Sequence, residues 1–201
     1  MKYIDTHSHI YPDAISQKAT GSTCRFYNVT TDHSGTASEL LRLDKEVGIV
    51  RSVLLPVSVN PVHTASINNF TLRECEEHPE FVPFATMHAA NADMEEQAEK
   101  FVERGFKGVK IHPDMQQFNI DDERMFPLYD IIAGKIPLTV HSGDPRYTYS
   151  HPERIRRILH EFPRLTVIAA HMGAWSMQKE ALPLLKNEER CFTDTSSALS
   201  A

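Results

Sequence analysis

Residues 138–143, LTVHSG, form a short apolar run that ends in a histidine, a serine and a glycine. Short runs rich in Val, Ile and Leu are typical of strands that are covered on both faces. The same design recurs at residues 108–113, GVKIHP, and at residues 167–173, VIAAHMG. These repeats predict a series of buried strands, each with a histidine at its C-terminal end.

Strands and helices alternate along the rest of the chain. Seven strands are predicted, at residues 2–9, 51–58, 81–88, 106–113, 136–143, 165–173 and 190–197. Six helices are predicted, at residues 38–47, 64–78, 93–104, 122–133, 152–161 and 174–186. From the second strand on, the strand starts lie 25 to 30 residues apart. Such an array predicts an α/β fold with a parallel sheet, either closed with all helices outside or open with helices on both faces.

Several helix ends carry their usual sequence signals. Asp122 is predicted to cap a helix, and Pro152 is predicted to occupy a first helical position. Gly105 and Gly134 stand where two helices should end. These signals place the boundaries of the repeating strand-helix units.

Composition and charge indicate one globular domain over residues 1–201. Of these residues 41% are hydrophobic, which is enough to bury a core and excludes a mostly disordered chain. The net charge of −6 gives no basic footprint, so we expect no nucleic-acid partner and no membrane partner. Three cysteines without a C-x-x-C pair, no apolar leader and no long apolar run favour a cytoplasmic protein.

A long connection separates the first predicted strand from the first predicted helix. Residues 10–37 are predicted to lack regular structure, and connections of this length are often lids or substrate-binding excursions. We therefore predict a lid-like insertion loop over residues 10–37. A merely ornamental insertion is the alternative.

Histidine is the unusual residue of this chain, with 11 copies among 201 residues. In the opening segment DTHSH, side chains alternate between the faces of a strand, so His7 and His9 point to the same side and can share a metal ion. The C-terminal ends of parallel strands carry the site in α/β folds, so His112, His141 and His171 are expected beside them. The strand ends therefore predict a shared metal site.

The other histidines receive a different interpretation. His88 ends the third predicted strand. Its position is compatible with substrate contact and equally with plain packing. The rest fall in loops or helical patterns and are expected at the surface or at helix caps: His33, His63, His78, His151 and His160.

The order of these motifs resembles that of the amidohydrolase superfamily of metal-dependent TIM barrels. The closer similarity is to the branch that holds amidohydrolase-related hydrolases, lactonases and non-oxidative decarboxylases similar to aminocarboxymuconate-semialdehyde decarboxylase. Nearly the whole chain takes part, through DTHSH, GVKIHP, VHSG, AHMG and the helix at residues 153–163. The resemblance implies an α/β fold of the TIM (β/α)8-barrel type. It also implies a bound divalent metal ion, zinc in the first place, with manganese or another divalent ion as alternatives.

The resemblance also implies roles for individual residues. His7, His9 and His141 would be metal ligands, and His171 would be the catalytic acid and base beside the substrate. Lys110 lies where binuclear relatives carry a carboxylated lysine that bridges two metals; a substrate-facing or structural ammonium is the alternative.

Three more residues complete the predicted site. His112 is grouped with Lys110 as a second-metal or substrate residue. Arg146 and Tyr147 are predicted to bind substrate, because a guanidinium matches the geometry of a carboxylate. A solvated loop arginine is the alternative for Arg146.

This set of residues is compatible with two reactions on a small-molecule substrate. An activated water could cleave an ester, lactone or amide bond of a small, carboxylated or cyclic compound. In a metal-dependent decarboxylase, water or His171 would instead protonate a substrate carbon as CO₂ leaves. A third hypothesis, from a different class, is a non-catalytic barrel remnant with a binding or assembly role.

The family barrel has eight strands, whereas seven are predicted here. The part not found is the seventh helix, the eighth strand and the eighth helix, and that strand normally supplies a metal-binding aspartate. We therefore expect a C-terminally incomplete barrel. The alternative is a degenerate barrel that binds metal poorly, or one that is completed by a partner subunit in a homo-oligomer. Asp194 resembles the ordinary Asp-x-Ser of the seventh strand, and its promotion to a ligand is a further open alternative.

Overall fold

The computed structural model describes residues 1–198. Its strands are β1 (Tyr3–Ser8), β2 (Ile49–Leu54), β3 (Phe81–Pro83), β4 (Ala85–Thr86), β5 (Val109–Ile111), β6 (Leu138–Val140), β7 (Val167–Ala169) and β8 (Cys191–Thr193).

Helices connect consecutive strands, except that β3 and β4 are separated only by Phe84. The α-helices are α1 (Ser16–Tyr27), α2 (Ala37–Val47), α3 (Thr64–Glu77), α4 (Met94–Glu103), α5 (Pro113–Gln116), α6 (Phe126–Ile132), α7 (Pro152–Glu161) and α8 (Gln178–Leu185). Short 3₁₀ turns occupy Asp13–Ile15, Pro61–His63 and Glu123–Met125. No helix within residues 1–198 combines the length and the apolar character that crossing a bilayer requires.

The strands are parallel and are paired in chain order, as β1-β2-β3 and then β4-β5-β6-β7-β8. The predicted third strand is divided at Phe84, so that β3 pairs with β2 and β4 pairs with β5. The Phe84 N–H donates to Leu54 O at 3.2 Å, and the Ala85 N–H donates to Gly108 O at 2.8 Å. The two sheets are therefore consecutive parts of one array, and the predicted parallel α/β order is confirmed.

The array curls until its first and last strands face each other. His7, in β1, meets Asp194, directly after β8, with 2.8 Å between His7 Nδ1 and Asp194 Oδ2. Among residues 1–198 no backbone pairing joins β1 to β8. The arrangement is a parallel α/β barrel whose seam is bridged by side chains.

The apolar core lies around the middle strands. Val109 on β5 and Val140 on β6 are fully buried, as expected for strands that are covered on both faces. The strands beside the seam differ, since Tyr3 on β1 is 50% accessible and Phe192 on β8 is 57% accessible. Hydrophobic stabilisation, about 25 cal/mol per Å² of buried apolar surface, therefore comes mainly from the middle of the array.

The connection at residues 10–37 is more ordered than the sequence predicts. It contains the 3₁₀ turn Asp13–Ile15 and the 12-residue helix α1 in place of an unstructured loop. Only Ser16 of α1 is buried, so the helix has no apolar stripe and hydrophobic periodicity does not reveal it. It ends at Asn28, which adopts the left-handed conformation that commonly terminates helices.

The other predicted helices are present, with changes at their ends. Asp122 caps its segment as predicted, although that segment starts as a 3₁₀ turn. Pro152 is the first residue of α7, as predicted. The helix predicted at residues 174–186 begins only at Gln178, because several residues between 171 and 176 adopt left-handed conformations that form an irregular turn.

Gly143 has a conformation and a neighbour that both favour glycine. Its φ is +75°, and a Cβ at this position would lie 2.6 Å from Ala174 Cα. Gly134 has a similar φ of +77°, but the atom nearest to its added Cβ would be Arg164 Cβ at 3.6 Å. A substitution by alanine therefore adds backbone strain and steric overlap at Gly143, but backbone strain alone at Gly134.

We expect Gly143→Ala to lower the free energy of unfolding by about 2–5 kcal/mol, since left-handed strain and overpacking add. The matched control Gly134→Ala should cost about 1–2 kcal/mol, from strain alone. Urea denaturation of both variants measures the difference. Equal losses would show that the Ala174 backbone moves aside.

Candidate metal centre

Histidine and aspartate side chains from distant strands meet at the C-terminal ends of the sheet. His7 lies in β1, and His141 and Asp194 directly follow β6 and β8. His171 follows β7 by two residues. His141, His171 and Asp194 are buried, whereas His9 lies at the exposed rim next to His7.

Asp194 is the centre of the first group. Its Oδ2 lies 2.8 Å from His7 Nδ1, and its Oδ1 accepts from the His171 N–H at 3.0 Å and from Ser196 Oγ at 2.5 Å. Burial opposes ionisation of this carboxyl, but the hydrogen bonds from His7 and Ser196 hold its pKa below the ordinary value. Asp194 is therefore a carboxylate. The ligand atoms of His7, His171 and Asp194 lie within 4.8 Å of one another.

Asp194 also fixes the backbone of His171. The φ of His171 is +64°, a left-handed conformation that costs a non-glycine residue about 1–2 kcal/mol. The Asp194 side chain accepts from the His171 N–H, and Asp194 O accepts from the Met172 N–H at 2.6 Å. Strained conformations of this kind cluster at functional sites.

Three imidazoles turn the lone pair of Nε2 toward the site. His9 Nδ1 lies 2.7 Å from Leu55 O, and His171 Nδ1 lies 2.8 Å from another backbone carbonyl. Carbonyls only accept, so each Nδ1 carries the hydrogen and each Nε2 keeps its lone pair. His7 Nδ1 donates to the Asp194 carboxylate in the same way. Imidazoles oriented by a carbonyl or carboxylate are the usual form of metal ligands.

The rings form a continuous cluster that is electrically neutral. Ring centroids are 5.2 Å apart for His7 and His9, 5.0 Å for His7 and His171, and 4.7 Å for His141 and His171. Burial and the nearby Lys110 lower the pKa of His7 to about 3. Burial likewise lowers the pKa of His171 and, further, that of His141. Neutral imidazole is the state that binds a metal ion or accepts a proton.

A second group lies on the other side of His141. The ligand atoms of His112, Asp114 and His141 lie within 4.8 Å of one another. Asp114 Oδ2 is 3.8 Å from His141 Nε2, and within residues 1–198 neither carboxyl oxygen of Asp114 makes a hydrogen bond of good geometry. Burial, together with the charge of Asp144, raises the pKa of Asp114 to about 7. Asp114 is not among the site residues predicted from the sequence.

Lys110 lies in the middle of the site. It is fully buried, and its Nζ is 3.5 Å from His7 Nε2. Burial lowers the pKa of Lys110 to about 7, although the Asp194 carboxylate acts in the opposite direction. A substantial fraction of this lysine is therefore a neutral amine near neutral pH.

Arg146, predicted to bind a substrate carboxylate, instead bonds groups of the protein itself. Arg146 Nη2 and Nε donate to the Asp144 carboxylate at 2.6 Å and 2.9 Å, and Nη1 donates to Phe26 O at 2.6 Å. Tyr147 stacks on Phe26 with ring centroids 5.8 Å apart and is 37% accessible. The structure thus directs Arg146 to the insertion helix α1.

The structure brings a further residue to the site that has no signal in the sequence. Tyr27, the last residue of α1, places its hydroxyl 2.6 Å from His112 Nε2. Its approach depends on the path of residues 10–37, which no local pattern specifies. Asp194, by contrast, directly follows a strand as the histidines do, and its promotion to a ligand was an open alternative from the sequence.

The histidines outside this cluster make local contacts. His88 Nδ1 accepts from the Ala90 N–H at 3.0 Å, and its ring packs on Phe118, with centroids 5.6 Å apart. His151 caps α7, as predicted for the non-site histidines. His160 lies at the surface and pairs with Glu188 at 2.9 Å.

Comparisons with known proteins agree on family and fold. A family model described as amidohydrolase matches residues 4–201. An uncharacterized TIM-barrel protein from Bordetella bronchiseptica has a TM-score of 0.78 at 19% identity, over 99% of this chain and 76% of that one. A 2,6-dihydroxybenzoate decarboxylase in complex with 2,6-dihydroxybenzoate has a TM-score of 0.61 at 18% identity, over 92% of this chain and 69% of that one.

A third solved structure is an amidohydrolase from Burkholderia multivorans with bound zinc. Its TM-score is 0.51 at 13% identity, over 100% of this chain and 87% of that one. No curated protein matches the chain. At such identities these likenesses show the fold alone, which is that of a TIM barrel, as predicted from the sequence.

The buried histidines make the stability of the metal-free protein depend on pH. The folded-state pKa values of His7, His112, His141 and His171 lie below the ordinary 6.5. The unfolded chain therefore binds more protons as pH falls through ~6.5, and stability is lost. Asp114 acts oppositely, because its raised pKa lets the folded state gain a proton below about 7.

In the presence of a chelator, we expect each buried histidine to lower the free energy of unfolding by roughly 1 kcal/mol between pH ~7 and ~5.5. Protonation of Asp114 should raise the free energy of unfolding by a similar amount over the same range and so offset part of the loss. Urea denaturation at a series of pH values measures this slope. Asp114→Asn should steepen it, while His63→Asn, at an exposed turn, should leave it unchanged. A slope of zero would show that the rings are hydrated in the folded state.

Proposed function

The chain belongs to the amidohydrolase family, and from this membership we propose that it is a metal-dependent hydrolase. The substrate would be a small, carboxylated compound with an ester, lactone or amide bond that is cleaved by an activated water. The observation that carries the proposal is the gathering of His7, His171 and Asp194, with ligand atoms within 4.8 Å of one another, at the strand ends.

The residues present fit a divalent metal ion. His7 and His9 offer Nε2 lone pairs whose direction is fixed by the partners of Nδ1. His141 lies next along the cluster, with its Nδ1 2.9 Å from His171 Nε2. We propose that His7, His9 and His141 hold the ion and that Asp194 orients or joins them. Nitrogen-rich sites with a carboxylate suit zinc, with manganese as the alternative.

A bound divalent ion would supply Lewis-acid activation of water and of a carbonyl oxygen. The residues of the chain have other tasks. His171 is neutral because burial lowers its pKa, and its Nδ1–H is held by a backbone carbonyl. Its Nε2 keeps a lone pair, which lies 2.9 Å from His141 Nδ1. When substrate or water displaces that contact, this nitrogen can take a proton from water and return it to the leaving group.

Lys110 and His112 differ in their freedom to act. Both nitrogens of His112 are engaged, one with the Met115 N–H at 3.3 Å and one with Tyr27. Lys110 Nζ faces the site, beside His7 Nε2. We therefore propose Lys110, in preference to His112, as the second-metal or substrate residue.

Decarboxylation of a small carboxylate is the second candidate. The observation in its favour is that Lys110 and His171 stand in one site, since an ammonium can hold a substrate carboxylate while His171 delivers a proton to carbon. The 2,6-dihydroxybenzoate decarboxylase shares the fold and suggests an aromatic carboxylate as the substrate to test.

Metal binding is tested by stripping the protein with a chelator, reloading it with zinc or manganese and measuring the metal by elemental analysis. We expect about one ion per chain in the wild type and loss of the ion in His7→Asn. His171→Asn should keep the ion and lose about 10²–10⁴ of the turnover rate. Loss of the ion in His171→Asn would make His171 a ligand. His160→Asn is the matched surface control.

The reaction is tested with a panel of lactones, esters, amides and aromatic carboxylates on zinc-loaded protein. We expect acid release in a pH-stat without CO₂ release. Release of CO₂ without hydrolysis would select the decarboxylase. Neither product from a fully metal-loaded protein would contradict both and favour the non-catalytic alternative.

A further inference from the structure

Helix α1 delivers Tyr27 to the candidate site from the insertion. The Tyr27 hydroxyl oxygen lies 2.6 Å from His112 Nε2 and 3.4 Å and 3.5 Å from the two ring nitrogens of His141. The ring packs edge-on against Phe26 and Trp175, with centroids 4.9 Å and 5.3 Å apart. The hydroxyl is thus held between two side chains of the centre by aromatic neighbours.

The partner of His112 Nδ1 shows which atom donates between His112 Nε2 and the Tyr27 hydroxyl. His112 Nδ1 accepts from the Met115 N–H at 3.3 Å, so this nitrogen has no hydrogen and His112 Nε2 carries it. His112 Nε2 therefore donates to the Tyr27 oxygen. The phenol hydrogen is left for the ring nitrogens of His141, whose contacts with the Tyr27 oxygen, at 3.4 Å and 3.5 Å, are long. A substrate oxygen at a shorter distance can therefore take their place.

The phenol keeps this hydrogen at ordinary pH. Burial, together with the negative charges of Asp144 and Asp114, raises the pKa of Tyr27 well above its ordinary value of 10.0. Tyr27 is consequently a neutral donor, in contrast to the buried imidazoles, which offer lone pairs. The Tyr27 hydroxyl is therefore a suitable donor for a carbonyl or carboxylate oxygen, which can only accept a hydrogen bond.

The position of Tyr27 depends on Arg146. Only Ser16 of α1 is buried, so the helix is not held by a share of the apolar core. Arg146 instead bonds Phe26 O and the Asp144 carboxylate, and its guanidinium lies 4.8 Å from the centroid of the Phe26 ring. Asp144 belongs to the loop that follows β6 and His141. These contacts connect the end of α1 to the wall of the site.

We propose that Tyr27 is a substrate-binding residue whose hydroxyl donates a hydrogen bond to a carbonyl or carboxylate oxygen of the substrate beside His141. Arg146 is the positioning residue that keeps α1 in place for this contact. This proposal rests on the proposed function, because it requires a substrate with an oxygen acceptor at a zinc-loaded centre. It applies equally to hydrolysis and to decarboxylation.

Benzoate, a simple carboxylate, is the probe for Tyr27. Calorimetric titration of zinc-loaded Tyr27→Phe should give an affinity at least about 10-fold weaker than that of the wild type, because one hydrogen bond to a charged group is lost. Tyr11→Phe is the matched control, since Tyr11 lies in the same insertion and its hydroxyl contacts Thr23 Oγ1 at 3.2 Å. Equal affinity in Tyr27→Phe, or no benzoate binding by the wild type, would overturn the proposal.

Benzoate binding requires no turnover, so this result is independent of the substrate panel. Failure of the proposed function appears as absent zinc or absent product, whereas failure of the Tyr27 proposal appears in benzoate affinity alone. Zinc content, measured on each variant, should equal that of the wild type.

A double-mutant cycle separates positioning from direct binding by Arg146. Arg146→Met should weaken benzoate binding about as much as Tyr27→Phe, and the double variant should be no weaker than either single variant. Arg146→Lys, which keeps a cationic donor for Phe26 O, should recover part of the affinity. Additive losses would show that Arg146 binds the carboxylate directly and would overturn its positioning role.

Discussion

The carboxylate of Asp194 joins the last described strand to the first where no backbone ladder does so. It bonds His7 across the seam, holds the left-handed backbone of His171 and engages Ser196. A buried carboxylate is tolerable only when it is hydrogen-bonded in this manner, because an unmade bond to a charged group costs several kcal/mol. The side-chain bridge across the seam, the backbone conformation of His171 and the tautomer of His7 therefore depend on one side chain.

Electrostatics around this carboxylate prepare a place for positive charge. Burial keeps the clustered imidazoles neutral, and burial also lowers the pKa of Lys110 to about 7. Asp114 lies on the far side of His141 and has a raised pKa, and within residues 1–198 its oxygens make no hydrogen bond of good geometry. Such a set of lone pairs and poorly solvated groups is costly in the metal-free state. A divalent ion would stabilise it, since binding to the folded state alone adds to stability.

The side of the candidate metal centre that Tyr27 forms does not come from the strand ends. It comes from α1, which contributes little to the core and is held through Arg146 and Tyr27. Elements with few buried apolar contacts belong to the less stable part of a structure, where substrate-binding segments are commonly found. In the proposed function, the barrel would supply the chemistry, and the insertion would supply the contacts that distinguish substrates.

Sequence patterns predicted the parallel α/β order, the strand-end positions of His7, His141 and His171, the cap at Asp122 and the place of Pro152 at the start of α7. These features are local, because strand period, helix period and turn chemistry act over a few neighbouring residues. Three further groups have partners that depend on the tertiary fold: Asp194 pairs with His7, Arg146 with Phe26, and Tyr27 with His112. Each of these contacts joins residues more than 80 positions apart. Such pairings follow from how the sheet curls and where α1 lies, which no local pattern specifies.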